Sequence, residues 1–290
     1  MHEGQVGLDA ATVGRIVADR YPRWARLPVR PVVSSGTVNA LFRLGDAIVL
    51  RFPLDPDPDA ARVERVRAAQ AVASRVPTTV ALPELLDAAA PHERYPGWST
   101  AWRWIEGEQV RPDAVPAGLA EDLAAFVLAL RAVPLAGPRL LHSWRSGPLA
   151  AVDPDVRSAL DTARALVDVP PLARLWEDAL AAPAAAAPSW IHTDLMPGNL
   201  LTSGGRLSAV LDSEDLAVGD PSVDLMPAWN LLDAAARARF RAALAVDDEA
   251  WRRGRGWALA QAALALPYYV DTNPDMAATA RHTLAALLEG

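Results

Sequence analysis

The chain has 290 residues, of which 51% are hydrophobic, so it is long and apolar enough for one large domain or two lobes. It contains no cysteine, which excludes disulfides and thiolate chemistry, and its net charge of −7 argues against a general nucleic-acid-binding protein. All 28 basic residues are arginine, so a Walker-A phosphate loop and a pyridoxal phosphate Schiff base, which need lysine, are excluded.

The first hundred residues are predicted to form a sheet with one inserted helix. Asp9 is a typical helix N-cap and predicts a first helix. Two runs of alternating apolar residues joined by Gly45-Asp46 indicate a β-hairpin. Asp59 is a suitable cap for a second helix, with apolar residues at helical spacing up to Val76. The predicted strands cover 29–33, 38–44, 47–52, 83–86 and 99–105.

After Gly107 the pattern becomes mainly helical, except that 189–216 has short β-like runs around polar residues. The predicted helices cover 119–133, 156–167, 171–181, 233–245, 248–266 and 274–288. The sequence therefore predicts the α+β class, with a small N-terminal sheet lobe at 1–104 and a large, mainly helical C-terminal lobe at 105–290.

No membrane segment is predicted. The longest apolar candidate, 258–270, contains Gln261 and Pro267 and follows an arginine-rich stretch, which favours a buried helix. The N-terminus lacks the charged and then apolar pattern of a signal peptide. We therefore expect a cytoplasmic protein, with no membrane or nucleic-acid partner and no indication of an obligate protein partner.

The most informative stretch runs from His192 to Asn199. An Asp preceded by His two positions earlier and followed by Asn five positions later is typical of the catalytic loop of kinase-type phosphoryl transferases. Asp194 would accept the proton of an acceptor hydroxyl, or at least orient that hydroxyl. Asn199 would offer a neutral amide oxygen to Mg²⁺ without adding negative charge beside a triphosphate. His192, grouped with the catalytic residues, is expected to organise the loop by hydrogen bonding.

Asp212 follows the apolar run 207–211, and an Asp at such a strand end is well placed to ligate a metal that bridges phosphates. Alone, either pattern is more often a helix cap or a turn than a catalytic site. Together, in this order and after a sheet-to-helix boundary, they predict a phosphoryl-transfer site. Asp212 is not followed by Phe-Gly, and Gly219-Asp220 arrives too soon to leave room for an activation loop, which favours a small acceptor over a protein.

The loop at 190–201 resembles the signature loop of the aminoglycoside phosphotransferase family. Further similar blocks lie at 210–215, 218–225, 38–46, 49–53 and 102–108. This resemblance, which covers nearly the whole chain, implies a bilobal protein-kinase-like fold with a nucleoside triphosphate, ATP or GTP, in the cleft. It also implies Mg²⁺ and transfer of the γ-phosphate to a hydroxyl of a small molecule.

Carried over by position, the resemblance implies that Asp194 is the catalytic base and that Asn199 and Asp212 are metal ligands. Two positions of the loop depart from the family pattern: Thr193 replaces the commoner Gly, and Met196 replaces a residue that is often polar.

For the nucleotide, the resemblance implies that Arg51 contacts the α/β-phosphates and that Glu64 is its ion-pair partner. Arg51 stands where the kinase pattern has lysine; a planar guanidinium still pairs with phosphate, but in a different geometry. The other implied nucleotide-binding residues are Ser35, Gly36 and Asn39 in the loop over the phosphates, and Arg103 and Trp104, whose backbone would hold the adenine.

The sequence constrains the identity of the acceptor less than that of the phosphate donor. An antibiotic such as an aminoglycoside or a macrolide is favoured; the alternatives are a metabolic acceptor such as an amino sugar, choline or homoserine, or a nucleotide-binding pseudokinase that serves as a scaffold. The net charge leans towards a cationic acceptor. Glu214 and Asp215 either face such an acceptor or are simply solvated.

Two further groups have alternative interpretations. Asp220 and Asp224 are expected to cap a helix and brace a loop, and the alternative is that they are extra metal ligands. Four aromatic residues on the C-terminal helices either belong to the core, which is the commoner case, or form a wall for a ring-shaped substrate. These residues are Trp229, Trp257, Tyr268 and Tyr269.

Overall fold

The structure is a computed structural model that describes residues 7–34, 36–135 and 143–289. The chain divides into two compact units. Unit 1 consists of Met1–Ala71 and Leu82–Glu106, and unit 2 consists of Val72–Ala81 and Gly107–Gly290. Unit 1 contains an antiparallel sheet and unit 2 is mostly helical, so the predicted α+β class is confirmed.

Unit 1 is built on a five-stranded antiparallel sheet in the order β1-β2-β3-β5-β4. The strands are β1 (Val29–Val32), β2 (Asn39–Leu44), β3 (Ile48–Pro53), β4 (Leu85–Ala89) and β5 (Ser99–Arg103). The predicted hairpin is confirmed, since β2 pairs with β3 from Leu44 opposite Ile48 onwards. Gly45 in its turn has a φ of 59°, a left-handed conformation that glycine adopts at little cost.

The first helix, α1 (Ala10–Arg20), covers one face of this sheet. Asp9 is its N-cap as predicted, because its carboxylate accepts the N–H of Thr12 at 2.7 Å. Val13, Ile16 and Val17 join a buried core with apolar side chains of the strands. The next helix is α2 (Ala61–Ala73).

One predicted strand is displaced. The structure has β4 at Leu85–Ala89, whereas the sequence predicted 83–86. Pro83 has no N–H to donate to a ladder, and the pairing with β5 is irregular between Leu85 and Asp87. The strand therefore starts later than its apolar pattern indicates.

Unit 2 contains two small antiparallel sheets, which hold the predicted catalytic segments. One sheet pairs β6 (Glu108–Gln109), β8 (Leu200–Ser203) and β9 (Arg206–Val210), and the other pairs β7 (Ser189–Ile191) with β10 (Ala217–Gly219). Ile191 lies opposite Ala217, and Leu200 lies opposite Val210. The segments 192–199 and 211–216 are therefore held side by side.

The rest of unit 2 is helical. Its α-helices are α3 (Leu119–Arg131), α4 (Asp153–Thr162), α5 (Val169–Leu180), α6 (Pro227–Asn230), α7 (Ala234–Leu244), α8 (Asp248–Tyr269) and α9 (Pro274–Leu288). α4 and α5 begin earlier than predicted because each has proline in its first turn, where the missing N–H costs nothing. None of the helices in the described ranges has the length and apolar character needed to cross a membrane.

The long helix α8 packs closely against its neighbours through glycine. A Cβ atom at Gly256 would lie 2.6 Å from Cδ2 of Leu149 and 2.7 Å from Cβ of Ala179. The leucine side chain can move, but the alanine Cβ is fixed to the backbone. Glycine at this position therefore sets how near α5 approaches α8.

We expect Gly256→Ala to lower the free energy of unfolding by about 1–3 kcal/mol, because the added methyl group overpacks the contact with Ala179. The control is Gly14→Ala in α1, where the added Cβ meets nothing within 4 Å. That variant should be unchanged, or more stable by up to about 1 kcal/mol. Urea unfolding of both variants measures the difference; equal stability of the two would contradict this account of the α5–α8 contact.

Candidate active site

The predicted catalytic loop leaves β7 at Ile191 and turns sharply at Thr193. Thr193 has a φ of 71°, in the left-handed region that β-branched residues rarely adopt, and its side chain is fully buried. Its hydroxyl donates to the backbone carbonyl of Asp215 at 3.4 Å. The position where the family pattern commonly has glycine is therefore a position of real backbone strain, held by the surrounding structure.

Asp224 stabilises this turn through hydrogen bonds to its backbone. Its fully buried carboxylate accepts the N–H of His192 at 3.0 and 2.9 Å and the N–H of Thr193 at 3.1 Å. Burial raises the pKa of Asp224, and these N–H groups oppose that effect. Asp220 caps the following turn by accepting the N–H of Ser222 at 2.9 Å. Both acids thus do what the capping and bracing interpretation predicted.

His192 is fully buried and uses both ring nitrogens. Nε2 lies 2.9 Å from the carbonyl oxygen of Leu211, which can only accept, so Nε2 carries a proton. Nδ1 then accepts the N–H of Asp194 at 3.4 Å. The ring joins the two segments of the site, and it has no free nitrogen with which to take a proton from a substrate.

Asp194 and Asn199 are bound to each other. The Nδ2 group of Asn199 donates to Oδ2 of Asp194 at 2.9 Å and to its backbone carbonyl at 3.0 Å. Because both partners are acceptors, this orientation of the amide is fixed, and Oδ1 of Asn199 points away from Asp194. The Asp194 side chain is 23% exposed, so its carboxylate can be reached from solvent.

Arg145 is the main residue that sequence analysis missed. Its Nη1 donates to Oδ1 of Asp194 at 2.8 Å and to the carbonyl oxygen of Thr193 at 3.0 Å. Its Nη2 donates to Oε1 of Gln261 in α8. The loop has two further supports from outside: Asn230 donates to the carbonyl of Leu195 at 3.1 Å, and Gln109 donates to that of Gly198 at 3.1 Å.

The segment after β9, which was predicted to hold a metal ligand, contributes the acidic residues Asp212 and Asp215 to the site. Asp212 follows β9 in a left-handed conformation, with a φ of 65°. Asp215 as a whole residue is exposed, but desolvation at its carboxyl group raises its pKa, and the charges of Asp212 and Asp194 raise it further. Neighbouring carboxylates that repel one another are suited to a cation.

The donor types fit Mg²⁺, which takes oxygen ligands and commonly uses only one or two carboxylates together with phosphates and water. Carboxylates from Asp212 and Asp215 and the amide oxygen of Asn199 are oxygen donors of this kind. Within the described part of the chain, no group of three or more His, Asp or Glu side chains converges on a metal position. The fit to Mg²⁺ therefore rests on the oxygen donor types of these residues.

In unit 1, Arg51 lies on the face of β3 opposite the core residues Leu50 and Phe52. Its guanidinium carbon lies over the Trp102 ring, 5.1 Å from the ring centre, which is within cation–π distance. Glu64 binds Arg67 at 2.6 Å in the same helix. The Arg51–Glu64 ion pair stays a prediction.

The predicted phosphate-covering loop is described in part. Asn39 starts β2 opposite Pro53, the N–H of Gly36 donates to Oγ of Ser34 at 3.0 Å, and Ser35 lies outside the described residues. In the predicted adenine segment, the N–H of Arg103 donates to the carbonyl of Glu84 at 2.9 Å and that of Trp104 to the carbonyl of Ala47 at 2.8 Å. These two N–H groups are thus used inside unit 1. The side chain of Arg103 forms an ion pair with Glu84.

The aromatic residues divide into two pairs. Trp229 and Trp257 are fully buried and belong to the core, so they form no wall for a substrate. Tyr268 is 56% exposed and meets Tyr269 edge to face at 4.7 Å near the end of α8.

The strain at Thr193 gives a stability prediction. Thr193→Ala and Thr193→Gly both lose the buried hydroxyl and methyl groups, and glycine also loses the Cβ atom, but only glycine adopts a φ of 71° without steric cost. We expect the glycine variant to be more stable than the alanine variant by up to about 1 kcal/mol, because the higher entropy of unfolded glycine offsets part of the relief. Parallel denaturant unfolding of the two variants measures this difference, and a more stable alanine variant would contradict strain at this position.

Comparisons with known proteins bear on the family and the fold of the chain. A sequence model of the phosphotransferase enzyme family, APH, matches residues 30–257, which include β2 to β5, β1 except its first residue, and the whole catalytic loop. A comparison with curated protein sequences gives no match.

Solved structures of similar fold are numerous. The GDP and kanamycin complex of APH(2")-IIIa has a TM-score of 0.71 and 18% identity, over 96% of this chain and 97% of that chain. The streptomycin–ATP–APH(2")-IIa ternary complex has a TM-score of 0.61 and 16% identity, over 98% and 97%. Macrolide 2'-phosphotransferase MphH from Brachybacterium faecium has a TM-score of 0.60 and 22% identity, over 96% and 97%. These likenesses confirm the predicted protein-kinase-like fold.

Proposed function

Because the chain belongs to the phosphotransferase enzyme family, as its sequence blocks predicted, we propose that it moves the γ-phosphate of ATP or GTP to a hydroxyl of a small molecule. The observation that carries this proposal is the bond between Asp194 and Asn199, which leaves the Asn199 amide oxygen directed away from the carboxylate. A partly exposed carboxylate beside an amide oxygen is what phosphoryl transfer to a hydroxyl requires.

In the proposed reaction, the acceptor oxygen forms a bond to the γ-phosphorus while the bond from that phosphorus to the β-phosphate bridging oxygen breaks. The nucleoside diphosphate leaves, and the hydroxyl proton passes to Asp194. Arg145 and Asn199 each bind one oxygen of that carboxylate, so its orientation is set before a substrate arrives. Positioning and electrostatics supply most of the rate in such reactions.

In this proposal His192 positions the catalytic loop and does not act as a general base. Its ring connects the amide of Asp194 to the carbonyl of Leu211, the residue before Asp212. It therefore keeps the base and the acidic segment in register, and takes no proton.

We assign nucleotide binding to the N-terminal lobe, 1–104, and acceptor binding and catalysis to the C-terminal lobe, 105–290. Arg51, whose guanidinium lies over the Trp102 ring, would contact the phosphates, and the loop with Ser35, Gly36 and Asn39 would cover them. The N–H groups of Arg103 and Trp104 already have partners, so a base would be held by carbonyl groups of this segment or by the residues that follow.

A divalent cation, Mg²⁺, would be held by Asp212 and Asn199, and bound there it would offset the charge of the phosphate oxygens. Asp215 belongs to the same acidic group, because the charges of Asp212 and Asp194 both raise its pKa. Its carboxylate would contribute to the negative potential that attracts the cation.

For the acceptor, we favour an antibiotic. The solved structures of similar fold include complexes with kanamycin and streptomycin and macrolide phosphotransferases, although their sequence identity of 16–22% carries the fold alone. The acidic residues around Asp194 favour a cationic acceptor. An amino sugar, choline or homoserine is the metabolic alternative.

The test is γ-phosphate transfer from Mg²⁺-ATP and Mg²⁺-GTP across aminoglycosides, macrolides, amino sugars, choline and homoserine, with Asp194→Ala as the blank. Transfer to one chemical group, absent in the blank, would establish the activity and identify the acceptor class. Nucleotide binding without transfer to any acceptor would favour a pseudokinase, and absence of nucleotide binding would contradict the assignment of Arg51.

A further inference from the structure

We propose that Arg145 is the positioning residue of Asp194, and that Gln261 of α8 holds Arg145 in place. This inference rests on the proposed function, since it concerns the same carboxylate. It adds a role for the segment 143–147, which lies within the residues that the family model matches but outside the short blocks that carry the resemblance in the sequence.

The contacts of Arg145 converge from distant parts of unit 2. Nη1 binds Oδ1 of Asp194 at 2.8 Å and the carbonyl of Thr193 at 3.0 Å, and Nη2 binds Oε1 of Gln261. The Arg145 side chain is only 11% exposed. Its guanidinium carbon lies 4.5 Å from the ring centre of Trp144, which covers one side of the group. These contacts hold both terminal nitrogens of the guanidinium in place.

Burial makes this ion pair different from the many arginine–carboxylate pairs on the surface. Exposed pairs contribute little, because water competes for both groups. Here the guanidinium is largely withdrawn from water and the carboxylate only partly exposed, so this charge-assisted hydrogen bond is screened less than a surface pair. The pair therefore restricts how the Asp194 carboxylate can rotate.

The two bonds to Asp194 act on different oxygens. Asn199 holds Oδ2 and Arg145 holds Oδ1, so the plane of the carboxylate is fixed at both ends. Without Arg145, only the hydrogen bond from Asn199 restrains the Asp194 side chain, so the carboxylate can rotate. The oxygen that should meet the acceptor hydroxyl is then no longer held in position. This loss would slow the transfer step and leave the binding of nucleotide unaffected.

Gln261 contributes as a neutral acceptor. An amide oxygen fixes Nη2 without drawing the positive charge away from Asp194. A carboxylate at this position would compete with Asp194 for the guanidinium. Gln261→Glu is therefore expected to lower kcat more than Gln261→Ala, although glutamate preserves the size of the side chain.

The experiment compares Arg145→Ala, Arg145→Lys and the matched control Arg252→Ala in the phosphotransfer assay. Arg252 also lies in unit 2 and binds a carboxylate, that of Asp178, but it does not touch the catalytic loop. We expect Arg145→Ala to lower kcat about ten- to hundredfold, the usual effect of losing a charge-assisted hydrogen bond, with the KM for nucleotide unchanged. Lysine should restore part of kcat, as should guanidinium ion added to the alanine variant well below denaturing concentration.

The outcomes separate this inference from the proposed function. If the wild type transfers phosphate and Arg145→Ala keeps its kcat to within about twofold, the positioning role is overturned and the proposed function stands. An equal loss in Arg252→Ala, or a loss that disappears when rates are corrected for the folded fraction, also overturns it. Absence of transfer by the wild type would overturn the proposed function itself.

Discussion

Replacing Asp194 by alanine is expected to lower kcat by at least about a hundredfold, which is the usual effect of removing a general base. The expected affinity for nucleotide is that of the wild type, because the contacts of Asp194 are to Arg145, Asn199 and the loop backbone. Steady-state transfer rates, with nucleotide binding measured separately by titration calorimetry, give both quantities.

The change also leaves Arg145 with a buried positive charge and one acceptor fewer, so folding has to be controlled. Asp122 offers a control of the same chemistry, because it is another aspartate of unit 2 that forms an ion pair, in its case with Arg206, and it is more deeply buried than Asp194. Asp122→Ala should lose stability but keep its kcat per folded molecule. Turnover of Asp194→Ala within a few-fold of the wild type would contradict the assignment of the base.

The parts of the site that could be predicted from sequence are those whose geometry is local. His192, Asp194 and Asn199 lie in one loop, and the structure connects them through hydrogen bonds between residues two and five positions apart. The hairpin at Gly45 and the cap at Asp9 are local in the same sense, since one turn or one side chain decides the conformation. Residue type and spacing carry enough information for such features.

The supports of the loop could not be predicted in this way. Arg145 meets Asp194 across 49 positions of the chain and Gln261 across 116, and Asn230 meets Leu195 across 35. Contacts of this kind depend on how α8 and the segments before it pack, which spacing does not encode. One of 28 arginines, with no periodic pattern around it, gave no signal.

Substitution of Asp212 is expected to remove most of the effect of Mg²⁺ on nucleotide affinity. Loss of a residue that merely supports a metal ligand commonly costs 10- to 100-fold in metal affinity, so loss of a ligand should cost at least about tenfold. Asp212→Asn is the cleaner variant. Asp212 has a φ of 65°, and asparagine adopts the left-handed conformation with less strain than alanine does.

The measurement is nucleotide affinity by calorimetry, with Mg²⁺ and with a chelator, for the wild type and Asp212→Asn. This comparison separates the effect of the lost carboxylate charge from any effect of backbone strain. The wild type should bind more tightly with Mg²⁺, and the variant should bind nearly equally in both conditions, because an amide cannot replace the charge of the carboxylate. Asp212→Ala should lose the Mg²⁺ effect in the same way. Its free energy of unfolding should be about 1–2 kcal/mol lower than that of Asp212→Asn, because alanine tolerates the left-handed conformation less well than asparagine does. An unchanged Mg²⁺ effect in Asp212→Asn would exclude Asp212 as a metal ligand and leave Asn199 and Asp215 as the candidate donors.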